Sequence, residues 1–325
     1  MPNLIEELQA KQPRALARAI SLAENDPIGS AELFSQLHPL QKSFKIGFTG
    51  PPGSGKSTLI RDLLVYACQQ DLRVGVIAVD PSSPFSGGAL LGDRLRMNLA
   101  GFDPERVFIR SLSARGHLGG LSPGTILSLH LLEYYGFDWI LLETVGVGQA
   151  EVEIMYLADL VSVILVPGMG DEIQAMKSGL MEIADLFIVN KCHRPGTDNL
   201  VSELEALLAM APRYKEEGVW HPQILKTDAL EGDGVEDLWQ LLLGYPSNAD
   251  FQRNRKVKRR RQIYYQTFQS VINHFRVRTA DLLKLYALEE GADAADVHAL
   301  ARRVIWEICR TERRSSSDKP PDSSS

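Results

Sequence analysis

The clearest indication of the fold lies at residues 44–58, which read Phe44-Lys45-Ile46-Gly47-Phe48-Thr49-Gly50-Pro51-Pro52-Gly53-Ser54-Gly55-Lys56-Ser57-Thr58. It contains G-x-x-x-x-G-K-[ST] between an apolar strand pattern and a helical pattern, which is the context that a phosphate-binding loop requires. The glycines let backbone N–H groups face phosphate oxygens, and the following helix N-terminus adds its dipole. We expect residues 50–58 to hold a nucleoside triphosphate, with Lys56 on the β- and γ-phosphates and the Ser57 hydroxyl on Mg²⁺.

The amino-acid composition is that of an ordinary globular protein. Its 325 residues have a formal net charge of −6, which argues against wholesale nucleic-acid binding. The three cysteines are scattered and form no disulfide framework or metal pattern, as is typical of a reducing compartment. We find no signal peptide and no apolar run long enough to span a bilayer, so we predict a cytoplasmic protein without a membrane partner.

Strand and helix patterns alternate from residue 44 to residue 243. Continuous apolar runs, typical of parallel strands covered on both faces, occur at 74–79, 107–109, 139–142, 160–166 and 186–189, with a weaker one at 224–225. The sequence therefore predicts an α/β fold with a doubly wound, mostly parallel sheet that binds ligands at the carboxyl ends of its strands.

Four segments follow from these patterns. We predict an N-terminal helical segment at 1–43, a P-loop domain at 44–246, a C-terminal helical arm at 247–314 and a disordered tail at 315–325. A basic run at 253–261 opens the arm, and we interpret it as the solvated face of a helix rather than a nucleic-acid or membrane patch.

Two strands end in acidic residues that open glycine-rich loops. Asp80 begins a loop that closes on Asp93, and such a loop can become ordered on metal and phosphate. Glu143 begins the second, in which the Gly146 N–H is the natural γ-phosphate contact and Gln149 follows. Two such acids downstream of a P-loop favour a metal-assisted phosphate site over simple helix caps.

Five motifs in combination resemble the methylmalonyl-CoA-mutase-associated GTPases of the MeaB/ArgK type, over nearly the whole chain. They are GPPGSGKST at 50–58, VDPSSPFSGGALLGDRLRM at 79–97, IRSLSARGHLGGL at 109–121, ETVGVGQAE at 143–151 and PGMGDEIQAMKSGLMEIADLFIVNK at 167–191. The resemblance implies a GTPase that gates delivery of adenosylcobalamin to an acyl-CoA mutase and dimerises through its C-terminal arm.

The resemblance also implies individual roles. Ser57, Asp80, Asp93 and Glu143 would form the Mg²⁺ site, while Lys56, Glu143 and Gln149 would act in hydrolysis, with Glu143 orienting the attacking water. A further switch that reports the nucleotide state to the mutase would include Asp171, Glu172, Gln174 and Lys177, although these residue types also suit an amphipathic surface helix.

The base-reading motif departs from the family pattern. N-K-x-D is replaced by Asn190-Lys191-Cys192-His193, and the later loop that backs the base is altered to Thr227-Asp228-Ala229. The motif's carboxylate accepts from guanine N1–H and N2–H₂, whereas a neutral imidazole offers one acceptor at most. We still expect GTP and GDP as ligands, with Asp198 or Asp228 as candidate substitutes.

Three other classes of P-loop protein fit the sequence less well than a GTPase. A kinase or a transport-energising ATPase requires an acceptor pocket or a membrane partner, for which the sequence gives no sign. A binding module without catalysis is disfavoured by Glu143 and Gln149. A nickel-delivery GTPase of related fold would carry Cys/His clusters, which this chain lacks.

Overall fold

The structure is a computed structural model that describes residues 2–26, 30, 37, 43–80, 101–113, 122–144, 150–168, 179–211, 220–289 and 301–308. Its centre is a seven-stranded sheet in the order β3-β2-β4-β1-β5-β6-β7. All pairings between these strands are parallel. The strands are β1 (Phe44–Thr49), β2 (Val74–Asp80), β3 (Val107–Ser113), β4 (Trp139–Thr144), β5 (Leu160–Leu165), β6 (Leu186–Val189) and β7 (Gln223–Lys226). The predicted doubly wound fold is confirmed.

Helices lie on both faces of the sheet. In chain order they are α1 (Pro2–Gln9), α2 (Pro13–Asn25), α3 (Lys56–Gln69), α4 (Pro123–Tyr135), α5 (Ala150–Glu153), α6 (Met181–Ile183), α7 (Thr197–Met210), α8 (Val235–Gly244) and α9 (Ala249–Glu289). Residues 301–308 are also helical. The Ser122 side chain caps α4, and Gly136 ends it in the left-handed conformation that favours glycine.

Alternate residues of the central strands enter two different cores. Ile46, Phe48 and Leu141 pack on the face covered by α3, α8 and the start of α9. Ile140 and Leu142 pack on the other face, against α2, α4 and α7. Because both faces are covered, the strands are apolar throughout, which is the pattern that the sequence shows.

The first turns of α9 dock on the amino edge of the sheet. Phe251 is fully buried among Phe44, Trp220 and Tyr245. This aromatic packing fixes the first turn of α9 against the amino ends of the strands.

The basic run on α9 corrects one sequence-based interpretation. Arg255 Nε donates to Asp159 Oδ1 at 2.9 Å, and Lys258 Nζ pairs with Asp185. Asp159 and Asp185 directly precede β5 and β6 and are 2% and 1% exposed. The prediction of a solvated basic face holds for Arg253, Arg260 and Arg261, which are exposed, and is wrong for Arg255 and Lys258.

The chain divides into two compact units, Met1–Tyr265 and Gln266–Ser325. In the second unit, Val304 and Ile308 are buried and Leu282 packs against them. The predicted segment boundaries at 43, 246 and 314 stay predictions, and the predicted tail lies outside the described residues. Among the helices that the structure describes, none has the length and apolar character needed to cross a bilayer.

Candidate functional site

Two glycines of the P-loop cannot be replaced without a clash. Gly50 has a φ of 134°, and a Cβ there would lie 2.1 Å from the Ile164 carbonyl oxygen. Gly55 has a φ of 94°, and its Cβ would lie 2.2 Å from Asn190 Nδ2. Both positions combine a left-handed backbone with close approach of a neighbouring loop, so the motif's glycines are a steric requirement.

Lys56 begins α3 and its side chain is buried within the loop. Its Nζ donates to the carbonyl oxygens of Gly50 at 2.7 Å and Pro51 at 2.8 Å. The loop's own carbonyl groups therefore hold the ammonium at the N-terminus of α3, where phosphate binding is favourable.

Ser57 and Glu143 join the P-loop to the end of β4. Ser57 Oγ donates to Glu143 Oε1 at 2.6 Å. Burial raises the pKa of the Glu143 carboxyl, while the Ser57 hydrogen bond and the Lys56 charge act in the opposite direction. The structure thus brings together the hydroxyl and one of the carboxylates that the sequence assigned to Mg²⁺.

Two buried polar atoms at this site have no hydrogen-bond partner within the described part of the chain. They are Glu143 Oε2 and Ser54 Oγ. Buried polar atoms in folded proteins are nearly always paired, and an exception often marks the place of a missing water, ion or ligand. Both atoms lie in the motif or on the strand end beside it.

Glu151 is a further carboxylate at this edge of the sheet. It lies in α5 and is half-buried; burial raises its pKa, and the Lys56 charge lowers it. The Lys56 ammonium therefore acts on carboxylates both before and after the segment 145–149.

Asn190 ties three loops together at the other end of the site. Its Nδ2 donates to the Ser54 carbonyl oxygen at 2.7 Å. Its Oδ1 accepts from Thr227 Oγ1 and from the Ala229 N–H, each at 3.1 Å. The P-loop, the end of β6 and the loop after β7 are thereby fixed to one side chain, which is fully buried.

The next residues of the motif face the same loops. Lys191 has a φ of 57°, and its Nζ donates to the Gly53 carbonyl oxygen at 2.8 Å. His193 Nε2 lies 2.6 Å from Asp233 Oδ2, and both side chains are exposed. The hydrogen bond to Asp233 raises the pKa of His193, and the charges of Asp233, Asp228 and Glu231 act in the same direction.

The two candidate substitutes for the motif's Asp have other partners. Asp228 Oδ1 accepts from the Leu230 N–H at 3.1 Å and shapes the loop after β7. Asp198 Oδ1 pairs with Lys226 Nζ at 2.6 Å on the surface of α7. Neither is the carboxylate that contacts His193.

Several predicted residues fall outside what the structure describes. These are the Asp80 side chain, Asp93, Gly146, Gln149, Asp171, Glu172, Gln174 and Lys177. Their assigned roles stay predictions.

Sequence reasoning gave no role to two carboxylates that lie here. They are Glu151, on whose carboxyl group the Lys56 charge acts, and Asp233, which contacts His193. Asp233 had a sequence signal, since it is a carboxylate between two glycines, Gly232 and Gly234, in the loop that backs the base. Its proximity to His193 depends on tertiary structure.

Comparison with known proteins agrees with this geometry. The family model described as "Methylmalonyl Co-A mutase-associated GTPase MeaB" matches residues 16–281. The chain belongs to the MeaB family. The predicted resemblance is confirmed, and the GTPase activity of the family makes the chain a P-loop GTP hydrolase that binds guanine nucleotide.

Individual relatives support the same assignment. The chain is 46% identical over 262 residues to the Pyrococcus horikoshii protein named "Putative GTPase PH0274", covering 80% of this chain and 82% of that protein. It is 35% identical over 284 residues to GTPase ArgK of Escherichia coli, covering 83% and 84% respectively. The solved structure titled "Crystal structure of LAO/AO transport system kinase" matches with a TM-score of 0.64 and 26% identity, covering 94% of this chain and 97% of that one.

Proposed function

We propose that this MeaB-family GTPase is Mg²⁺-dependent and that its nucleotide state gates delivery of adenosylcobalamin to a cobalamin-dependent acyl-CoA mutase, such as methylmalonyl-CoA mutase, which it also protects. The observation that carries the proposal is the match to the mutase-associated family over residues 16–281. The geometry of the P-loop supports nucleotide binding, and the exposed face of α9 supports the predicted homodimer.

The side chains around Ser57 fit a magnesium ion. Mg²⁺ prefers oxygen ligands and commonly takes one or two from protein side chains. The Ser57 hydroxyl and the unpartnered Glu143 Oε2 are such oxygens, adjacent through the Ser57–Glu143 hydrogen bond. The bound ion would neutralise charge on the β- and γ-phosphates. Asp80 and Asp93 would complete the site.

Protein groups supply the remaining steps of hydrolysis. On nucleotide binding, Lys56 would exchange its hydrogen bonds to the Gly50 and Pro51 carbonyl oxygens for hydrogen bonds to phosphate oxygens. Glu143, a buried carboxylate at the end of β4, would orient the attacking water. Gln149 and the Gly146 N–H keep the roles that the sequence predicts for them. Such a site works by positioning and electrostatics, so turnover is slow without a partner.

Nucleotide state would reach the mutase through the segment after Glu143. Glu143 and Glu151 flank residues 145–149, and the Lys56 charge affects both carboxyl groups. Loss of the γ-phosphate would change the charge that these two groups face. The proposed second switch with Asp171, Glu172, Gln174 and Lys177 would make the contact with the mutase.

The long helix α9 supports a homodimer. Tyr264, Phe268, Val271 and Phe275 are exposed and follow one another at spacings of four, three and four residues. This is the spacing of a helix-pairing seam, and exposed apolar patches of this kind mark interaction surfaces. Light scattering should give a dimer that Phe268→Glu disrupts, while Ser270→Glu, off the seam, leaves the dimer intact.

The experiment on function mixes the full chain with methylmalonyl-CoA mutase and follows adenosylcobalamin loading by absorbance. We expect a complex on size-exclusion chromatography and a loading rate that differs between GDP and a non-hydrolysable GTP analogue. Lys56→Ala, which removes the charge that offsets the γ-phosphate, should abolish that difference. No complex in any nucleotide state, or the same loading rate in all of them, would contradict the proposal.

A further inference from the structure

Recognition of guanine needs a hydrogen-bond acceptor that this chain's motif does not supply. Guanine presents N1–H and N2–H₂ along one edge, and a carboxylate can accept from both. The residue at the motif's last position is His193, which at most accepts once. Some other group must accept from this edge if the base is read there.

The contacts around Asn190 fix where the base-reading side chains are. Asn190 binds Ser54, Thr227 and Ala229, and Lys191 binds Gly53 in the P-loop. His193 follows on the same turn, and its imidazole contacts Asp233 in the loop after β7. The Cys192 N–H donates to the Thr227 carbonyl oxygen. The backbone around the motif is thus held by the P-loop and by the loop after β7. The departure from the family motif lies in the chemistry of the side chain at position 193.

Asp233 is the carboxylate that this arrangement brings to His193. Its Oδ2 lies 2.6 Å from His193 Nε2, while its backbone carbonyl accepts from the Asp228 N–H at 2.8 Å. A carboxylate has about four lone-pair positions, so one bond from His193 leaves acceptors for a ligand. Asp233 is exposed, as a group that contacts a base must be in the nucleotide-free protein.

We propose that Asp233, held by His193, reads the N1–H and N2–H₂ edge of guanine in place of the motif's missing Asp. His193 Nε2–H donates to Asp233 Oδ2, and the remaining lone pairs of the carboxylate accept from the base. His193 is a positioning residue, and Asp233 determines specificity. This inference goes beyond the proposed mutase function, because the choice of base is independent of the partner.

Two of the neighbouring carboxylates have partners other than His193. Asp228 Oδ1 accepts from the Leu230 N–H, and Asp198 pairs with Lys226. Glu231 is exposed on the same loop and acts on His193 through its charge. Asp233 alone of these acids forms a hydrogen bond with the motif residue in the described structure.

The test compares bases whose edges differ by single groups. Inosine diphosphate lacks the 2-amino group, and xanthosine diphosphate carries a carbonyl oxygen in its place. Asp233→Asn replaces a pure acceptor by a side chain that also donates, so it should disfavour guanine and suit xanthine. We expect GDP affinity to fall roughly tenfold to hundredfold, with the GDP/XDP preference reduced by at least that factor.

Three further variants make the result specific. Asp250→Asn is the matched control, because Asp250 is an equally exposed, ion-paired carboxylate on α9, far along the chain. Asp198→Asn tests the alternative reader. The double variant His193→Asp/Asp233→Asn restores a carboxylate at the motif position, held by an amide donor, and should recover the guanine preference.

Calorimetric titration of GDP, IDP, XDP and ADP gives the readout. The wild type should bind GDP more tightly than IDP, and both Asp250→Asn and Asp198→Asn should keep the wild-type ratios. An unchanged GDP/XDP ratio in Asp233→Asn would overturn the proposal. Equal losses for all four nucleotides would also overturn it, since they would assign Asp233 a structural role only.

Discussion

At the amino edge of the sheet, Asp159 and Asp185 have both carboxylate oxygens occupied, whereas at the carboxyl edge Glu143 has one oxygen without a partner in the described part of the chain. Asp159 accepts from the Lys45 N–H and Arg255, and Asp185 accepts from the Val161 N–H and Lys258. All three carboxylates are buried. The described residues satisfy the first two carboxylates fully and leave one oxygen of the third available to a ligand.

The difference separates stability from function. A saturated buried ion pair contributes to the docking of α9, and removal of one partner leaves an uncompensated charge. A buried carboxylate oxygen without a hydrogen-bond partner lowers the stability of the nucleotide-free protein, and it favours the binding of a cation or a water molecule. Substitutions at the two edges should therefore have opposite effects on the free energy of unfolding.

The largest effect is expected at the amino edge. Lys258→Met should lower the free energy of unfolding by about 3–5 kcal/mol, because Asp185 is then left buried without its cation. Arg253→Met is the control, since Arg253 forms an exposed pair with Asp250 worth about 0–1 kcal/mol. Urea denaturation measures both, and equal losses in the two variants would contradict the comparison.

A smaller effect of opposite sign is expected at the carboxyl edge. Glu143→Gln should raise the free energy of unfolding of the nucleotide-free protein by about 1–3 kcal/mol at neutral pH, because a buried charge with an unpartnered oxygen is removed. GTP hydrolysis should fall in the same variant.

The pH dependence of this gain follows from the raised pKa of Glu143. The folded protein favours the protonated carboxyl, so the contribution of Glu143 to stability is fully present below its unfolded pKa and is lost as the pH rises through the raised folded pKa. Wild type and Glu143→Gln should therefore converge towards about pH 4 and diverge at higher pH. A difference that grows on acidification would contradict the assignment.

The smallest effect concerns His193, a surface residue with a carboxylate neighbour. NMR titration of its ring protons should give a pKa above that of an unperturbed histidine, because the hydrogen bond to Asp233 stabilises the protonated ring. Asp233→Asn should return this pKa towards the ordinary value. A wild-type pKa at or below the ordinary value would mean that the pair does not form in solution.

The sequence was sufficient for features that local patterns determine. The apolar runs at 74–79 and 186–189 predict strands because both faces of a parallel sheet are covered, and β2 and β6 lie there. The P-loop motif predicts a helix after its glycines, and α3 begins at Lys56.

Features that depend on distant residues were missed. The sequence of the basic run predicts a solvated face because its partners, Asp159 and Asp185, are far away in sequence and look like ordinary acids before a strand. Asp233 is 40 residues from His193, and only the parallel pairing of β6 with β7 brings their loops together. Charge pairing across a sheet edge has no periodicity that a single sequence reveals.

The proposed metal site at Ser57 and Glu143 is tested most directly by the effect of Mg²⁺ on binding of a non-hydrolysable GTP analogue. The dissociation constant is compared in Mg²⁺ and in EDTA for wild type, Ser57→Ala, Glu143→Gln and Ser162→Ala. Ser162 is the control, because its hydroxyl is also buried without a partner in the described residues but lies within β5. We predict that Mg²⁺ tightens binding by wild type and Ser162→Ala and that Ser57→Ala and Glu143→Gln lose this increment. Retention of the wild-type increment by both site variants would contradict a metal site at Ser57 and Glu143.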